Sequence, residues 1–216
     1  MPIFLFKSLV FLASFLLFQV ELILGKSILP GFGGGYLVWG VSVVFFQGAL
    51  LLGYLHVHLL NRYLSINYFS KWIGFLMAVS IFLLPIQVDR LANPSYQFPA
   101  VIEIIILLTL TIGFPFFLLA SLSVYSQLHL ASSNLSEKTN PYLLFASSNF
   151  GAFIALFTYP VLVEPNFDIP EQLSHWAILY GIATLILIAL LRSVPVPKEK
   201  NTQAWDIPPK KKLAQW

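Results

Sequence analysis

The 216 residues carry 10% charged side chains against 58% hydrophobic ones, with a net charge of +3 and no cysteine. An ordinary soluble domain holds roughly 25% charged residues, so a water-soluble globule is excluded. The missing cysteines exclude disulfides, iron–sulfur clusters and thiolate metal sites, and the small basic excess is a poor signal for nucleic acid.

Six long apolar runs follow in order, at about 3–24, 36–60, 68–88, 101–124, 142–163 and 173–191. Each approaches the ~20 residues a helix needs to cross hydrocarbon, and a helix satisfies its own backbone there. The predicted fold is an all-α membrane protein of six transmembrane helices over 1–192. The first run is about twice as long as a signal-peptide core and no small-x-small site follows it, so it is expected to stay as a helix. Connectors carry the usual punctuation: Pro30-Gly31 with Gly33-Gly34-Gly35, Asn93-Pro94-Ser95, Asn140-Pro141, and Pro165 through Pro170. The glycine-rich connector follows a membrane helix rather than a strand, which reads as a tight turn and not a phosphate cradle.

Six crossings return both termini to one side. That side then holds Lys7, Arg62, Lys71, Lys138, Arg192, Lys198, Lys200, Lys210, Lys211 and Lys212, against only Lys26 and Arg90 on the other. Lysine and arginine are retained on the cytoplasmic face, so a multi-pass protein of the plasma (inner) membrane is expected, with N- and C-termini in the cytoplasm. The segment 193–216 changes character. It is basic and Pro-rich, too polar to fold alone, and reads as a cytoplasmic tail or linker whose Lys210, Lys211, Lys212 and Trp216 touch lipid headgroups or a partner.

Polar side chains inside the runs are few. Lys7, Ser14 and Glu21 share one stripe of the first helix, and Gly40, Gln47, Tyr54 and Asn61 share one stripe of the second. Intramembrane polar groups are costly and usually face protein, so both stripes are expected to look into the bundle. Glu21, Lys26, Gln47 and Glu103 form the candidate intramembrane polar site. The bland reading pairs Glu21 with Lys26 across the helix end and leaves Glu103 in the headgroups. Ser148, Gly151, Ala152 and Ala155 make a small-residue packing face on the fifth helix. Gly113 and Pro115 are expected to bend the fourth. His56 and His58 point about 200° apart and cannot share one metal. A haem held by His129 and one of them is conceivable, but interfacial histidines are the ordinary explanation, and no metal or cofactor is expected.

At its opening stretch the chain resembles a known family. Phe18-Gln19-Val20-Glu21, Gly25-Lys26, Leu29-Pro30, Gly33-Gly34, Val38-Trp39, Phe45-Phe46-Gln47 and Gly53-Tyr54 are similar to the membrane domain of fused MFS/spermidine-synthase-like proteins. Weaker matches are Gly113-Phe114-Pro115-Phe116-Phe117, Pro141-Tyr142 with Ser148-Asn149-Gly151, and Tyr159-Pro160 with Leu162-Val163-Glu164-Pro165. The resemblance implies an MFS-half-like bundle beside an aminopropyltransferase-like domain, whose active site has no counterpart in these residues. It thus implies a noncatalytic membrane module that anchors a soluble partner or passes a small, polyamine-like cation. The alternatives are a secondary transporter working as a dimer of six-helix halves, and a membrane subunit of a redox complex. Expected partners are the lipid bilayer and either a second copy or a membrane or soluble subunit.

Overall fold

The computed structural model describes residues 2–33, 35–86, 97–135, 140 and 142–195. Among these no strand occurs. Six helices are long and apolar enough to cross a membrane: α1 Pro2–Phe32, α2 Tyr36–Tyr63, α3 Ile66–Leu83, α4 Ala100–Ala131, α5 Tyr142–Asn166 and α6 Ile169–Ser193. Lys210, Lys211, Lys212 and Trp216 lie outside the described residues, as does most of the tail.

Some helix ends run past the apolar runs, through a charge or a proline. α1 continues through Lys26 and Pro30 to Phe32. α6 begins four residues before Leu173, at Ile169, because Asp168 caps it. The Asp168 carboxylate accepts from the Glu171 amide at 2.9 Å, and the Glu171 side chain accepts from the Asp168 amide at 3.1 Å. This reciprocal pair satisfies two otherwise orphaned donors. Pro170 then sits in the first turn, where a missing N–H does no harm. The turn between α1 and α2 rests on Gly33, whose φ of 75° a side chain would strain.

Two helices contain a single π turn, Thr109–Gly113 in α4 and Tyr159–Val163 in α5. Each is paired with a proline, Pro115 or Pro160, that removes a backbone donor. Threonine hydroxyls cover neighbouring carbonyls: Thr111 donates to the Leu107 carbonyl at 2.7 Å and Thr158 to that of Ile154 at 2.6 Å. The Gln19 amide bonds the Ala155 carbonyl, five residues before Pro160, at 3.1 Å, and partners from a neighbouring helix let proline persist in a membrane helix. In α4 the π turn ends at Gly113, beside the Pro115 at which a bend is expected.

α1 is the centre of the bundle. Leu9, Ala13, Leu16, Val20, Leu24 and Ile28 are all 0% exposed. They recur every three or four residues, so they line one face of the helix. α5 and α6 flank α1, and α4 closes the opposite side and carries α2 and α3 against it. α5 runs parallel to α1, as the ascending contacts Ser14–Ser148, Gln19–Ala155 and Lys26–Glu164 show. The start of α1 and the end of α6 lie at one end of the bundle, where Phe6, Leu130, Leu144, Leu190 and Val194 form a second small core. We call this the terminal end and the opposite one, with Gly33, the distal end.

Candidate functional site

The distal half of the α1–α5 seam gathers the polar groups of three helices. Gln19 on α1 donates its amide to the Ala155 carbonyl at 3.1 Å and to the Thr158 hydroxyl at 3.2 Å, just below the π turn. Two turns further along α1, the Lys26 ammonium meets the Glu164 carboxylate at 2.6 Å. Glu164 closes the π turn, its amide bonding to the Tyr159 carbonyl. The wider turn therefore stacks the acid over Tyr159. The Tyr159 hydroxyl and Gln172 Oε1 are buried there without a hydrogen-bond partner among the described residues.

Lys26 pairs with Glu164, not with Glu21 one helix stretch away. Glu21 is half-buried and makes no hydrogen bond or ion pair among the described residues. It precedes Gly25 by one turn, and Gly25 marks the crossing of α2: a Cβ added there would come within 2.8 Å of the Trp39 ring. The remaining members of the sequence-predicted site lie elsewhere. Glu103 sits in the first turn of α4, where the helix dipole favours an acid. It lines a shallow hollow with Gly31, Phe32, Phe98 and Ala100. Gly31 is ten residues from Glu21, about 15 Å along the helix. Gln47 is exposed on the outer face of α2, as are Gly40, Tyr54 and Asn61. The expectation that this stripe looks into the bundle is corrected: α2 buries Val38, Val41, Ser42, Phe46, Gly53 and Val57 instead. Periodicity identified a common face but not what that face meets.

Tyr159 and Glu164 enter the sequence reading only through the weaker family matches and not as site residues, and Gln172 does not enter it. The one available signal was an acid between Pro160 and Pro165 at the end of an apolar run, but its partner is 138 positions away. An ion pair with side chains 42% and 39% exposed contributes little, about 0.2–1 kcal/mol. Lys26→Met or Glu164→Gln is therefore expected to lower stability by less than about 1 kcal/mol. The exchange Lys26→Glu with Glu164→Lys should restore it, as read from unfolding midpoints in detergent at low and high salt. A large loss from either single change, not recovered by the exchange, would contradict this assignment.

Ser148, Gly151 and Ala155 lie on the face of α5 that meets α1. Ser148 shares a hydrogen bond of 2.6 Å with Ser14, and Ala155 is 0% exposed. Ala152, two turns before Tyr159 on α5, is half-buried. The glycine between them makes the closest approach: a Cβ on Gly151 would stand 2.3 Å from the Phe11 carbonyl oxygen.

A second polar network ties the terminal end together. Tyr125 donates to Ser70 at 2.7 Å, and Ser70 donates to the Ile66 carbonyl at 2.7 Å. His129 contacts the Tyr125 hydroxyl through Nδ1 at 3.0 Å and the Val194 carbonyl through Nε2 at 2.9 Å. A carbonyl only accepts, so Nε2 carries the proton. His56 reaches Ser121 at 3.1 Å between the rings of Phe69 and Phe117, while His58 is exposed. Both nitrogens of His129 are turned to protein partners, a donor set suited to clamping helices and ill suited to haem ligation. No group of three metal-ligating side chains occurs among the described residues.

Comparison of the chain with family models, with curated proteins and with solved structures returns no match.

Proposed function

We propose that this chain is a noncatalytic integral membrane module, of the kind its resemblance to the spermidine-synthase-like family implies, that holds a soluble partner at the plasma membrane. On this reading the six helices correspond to one half of an MFS-like arrangement, with both termini cytoplasmic. Support comes from the filled centre: the face of α1 from Leu9 to Ile28 is packed without exposed surface. A bundle with a solid axis acts as a body that positions something, and offers no route for a solute through its own middle. The cytoplasmic assignment draws on Lys7, Arg62, Lys71 and Arg192, all at the terminal end, against Lys26 at the distal end.

Deletion of residues 198–216 is expected to release a soluble partner in pull-downs from native membranes, while the six helices still insert. Retention of the partner by the shortened chain would remove the tail from this role.

One observation favours a second reading, passage or binding of a small cation. Glu21 is a half-buried acid inside a membrane helix with no partner among the described residues, and such groups mark ion and substrate paths. If that reading holds, a polyamine flux in proteoliposomes collapses in Glu21→Gln. Unchanged flux in that variant removes the site.

A further inference from the structure

The outer face of α2 carries a pattern that lipid alone does not explain. Gly40, Val44, Gln47, Leu51, Tyr54 and His58 are spaced by four, three, four, three and four residues, and every one of them is exposed. That alternation is the seam of a left-handed helix pair. Val44 is 69% and Leu51 66% exposed, so nothing among the described residues covers the seam. No atom lies within 4 Å of where a Cβ would stand on Gly40 or on neighbouring Gly48. Both glycines therefore leave the helix surface flat enough for another backbone to approach closely.

Gln47 decides what the face is for. It begins the twelfth residue of a helix spanning Tyr36–Tyr63, roughly 17 Å from the helix start, which is mid-hydrocarbon. An amide there has no water to bond to. The outward face of α5 also exposes an amide, Asn149, but only about 10 Å from its helix start and flanked by Ala146, Phe153 and Leu156 with no glycine on that face, so it offers another backbone no flat approach.

We infer that the α2 seam is the contact between two copies of this chain, closed by reciprocal Gln47–Gln47 hydrogen bonds. The occupant follows from symmetry. Two copies inserted in the same orientation are related by a two-fold axis along the membrane normal, so every α2 residue meets itself at the same depth. An amide both donates and accepts, which makes Gln47 complementary to its own copy. A second copy is the one molecule certain to present such a group at that depth. A single polar residue within an apolar seam also fixes register and copy number. The inference is independent of whether the module anchors a partner or passes a cation.

The chain has no cysteine, so single reporters can be placed without background. Val44→Cys and Leu51→Cys, in the full chain reconstituted in phosphatidylcholine vesicles, should form disulfide-linked dimers on mild oxidation. Phe153→Cys on α5 should not. Adding Gln47→Leu to the Val44→Cys protein should weaken association about tenfold, read by counting copies per spot as the lipid-to-protein ratio is raised. Circular dichroism should show the same helicity for all variants. Equal crosslinking from Val44→Cys and Phe153→Cys overturns the inference, as does a single copy per spot at every density. Undiminished pairing of the Gln47→Leu protein overturns the role of the amide. In native membranes, a Val44→Cys crosslink to a different protein in place of a second copy assigns the seam to that protein and overturns the dimer.

Discussion

Gly151→Ala will loosen α5 from α1 and produce the largest loss of stability of any single methyl added to this bundle. The added carbon would stand 2.3 Å from the Phe11 carbonyl oxygen, 3.0 Å from its carbonyl carbon and 3.2 Å from its Cα. All three are backbone atoms, so no side chain can rotate away and the helices themselves must part. Overpacking of this kind costs about 1–3 kcal/mol or more. Separation also draws the neighbouring Ser14–Ser148 and Gln19–Ala155 hydrogen bonds apart. Gly181→Ala in α6 is the matched control, because nothing lies within 4 Å of its Cβ position. There the change should be neutral or stabilising by up to ~1 kcal/mol, since alanine suits a helix better than glycine. Detergent unfolding followed by tryptophan fluorescence separates the two. Equal midpoints for the two variants would mean that the α1–α5 crossing is not as close as described.

His129→Leu is expected to free the end of α6. Nε2 of this residue, itself 2% exposed, holds the Val194 carbonyl, and Nδ1 meets Tyr125. Leucine fills much of the volume but leaves that carbonyl, on a residue 6% exposed, without its donor, a loss of about 1–3 kcal/mol. Amide exchange should rise over 190–194 and stay low over the distal half of α1. Combined with Tyr125→Phe, the losses should fall short of their sum, because both residues belong to one network. Strict additivity, or protection unchanged at the end of α6, would show that the contact holds nothing in place.

The six long apolar helices were legible because hydropathy is written locally: about twenty oily residues in a row need no partner to declare themselves. The ends of α1 and α6 were less so. Pro30 and Pro170 look like stops in a string of letters, yet α1 runs two residues past the first at the loss of the one backbone bond its N–H would have made, and the second sits in a first turn, where it is tolerated. Side-chain spacing correctly grouped Gly40, Gln47, Tyr54 and Asn61, but a period of 3.6 fixes which residues share a face and is silent on which way that face turns. The Lys26–Glu164 pair was out of reach for a related reason. Both charges were visible, but only the parallel packing of α1 and α5 brings them together, and no local pattern encodes a contact 138 residues long.

That parallel packing has a consequence for biogenesis. α1 leaves the ribosome before α5, yet Ser14, Gln19 and Lys26 find their partners on α5, 134 to 138 positions later. At about 5–20 residues per second, the gap is on the order of 10–30 s. Throughout that interval the earlier-made span waits beside the insertion machinery with its hydrogen-bonding groups unmatched. Slowing elongation between codons 100 and 140 should therefore increase quality-control degradation of nascent chains.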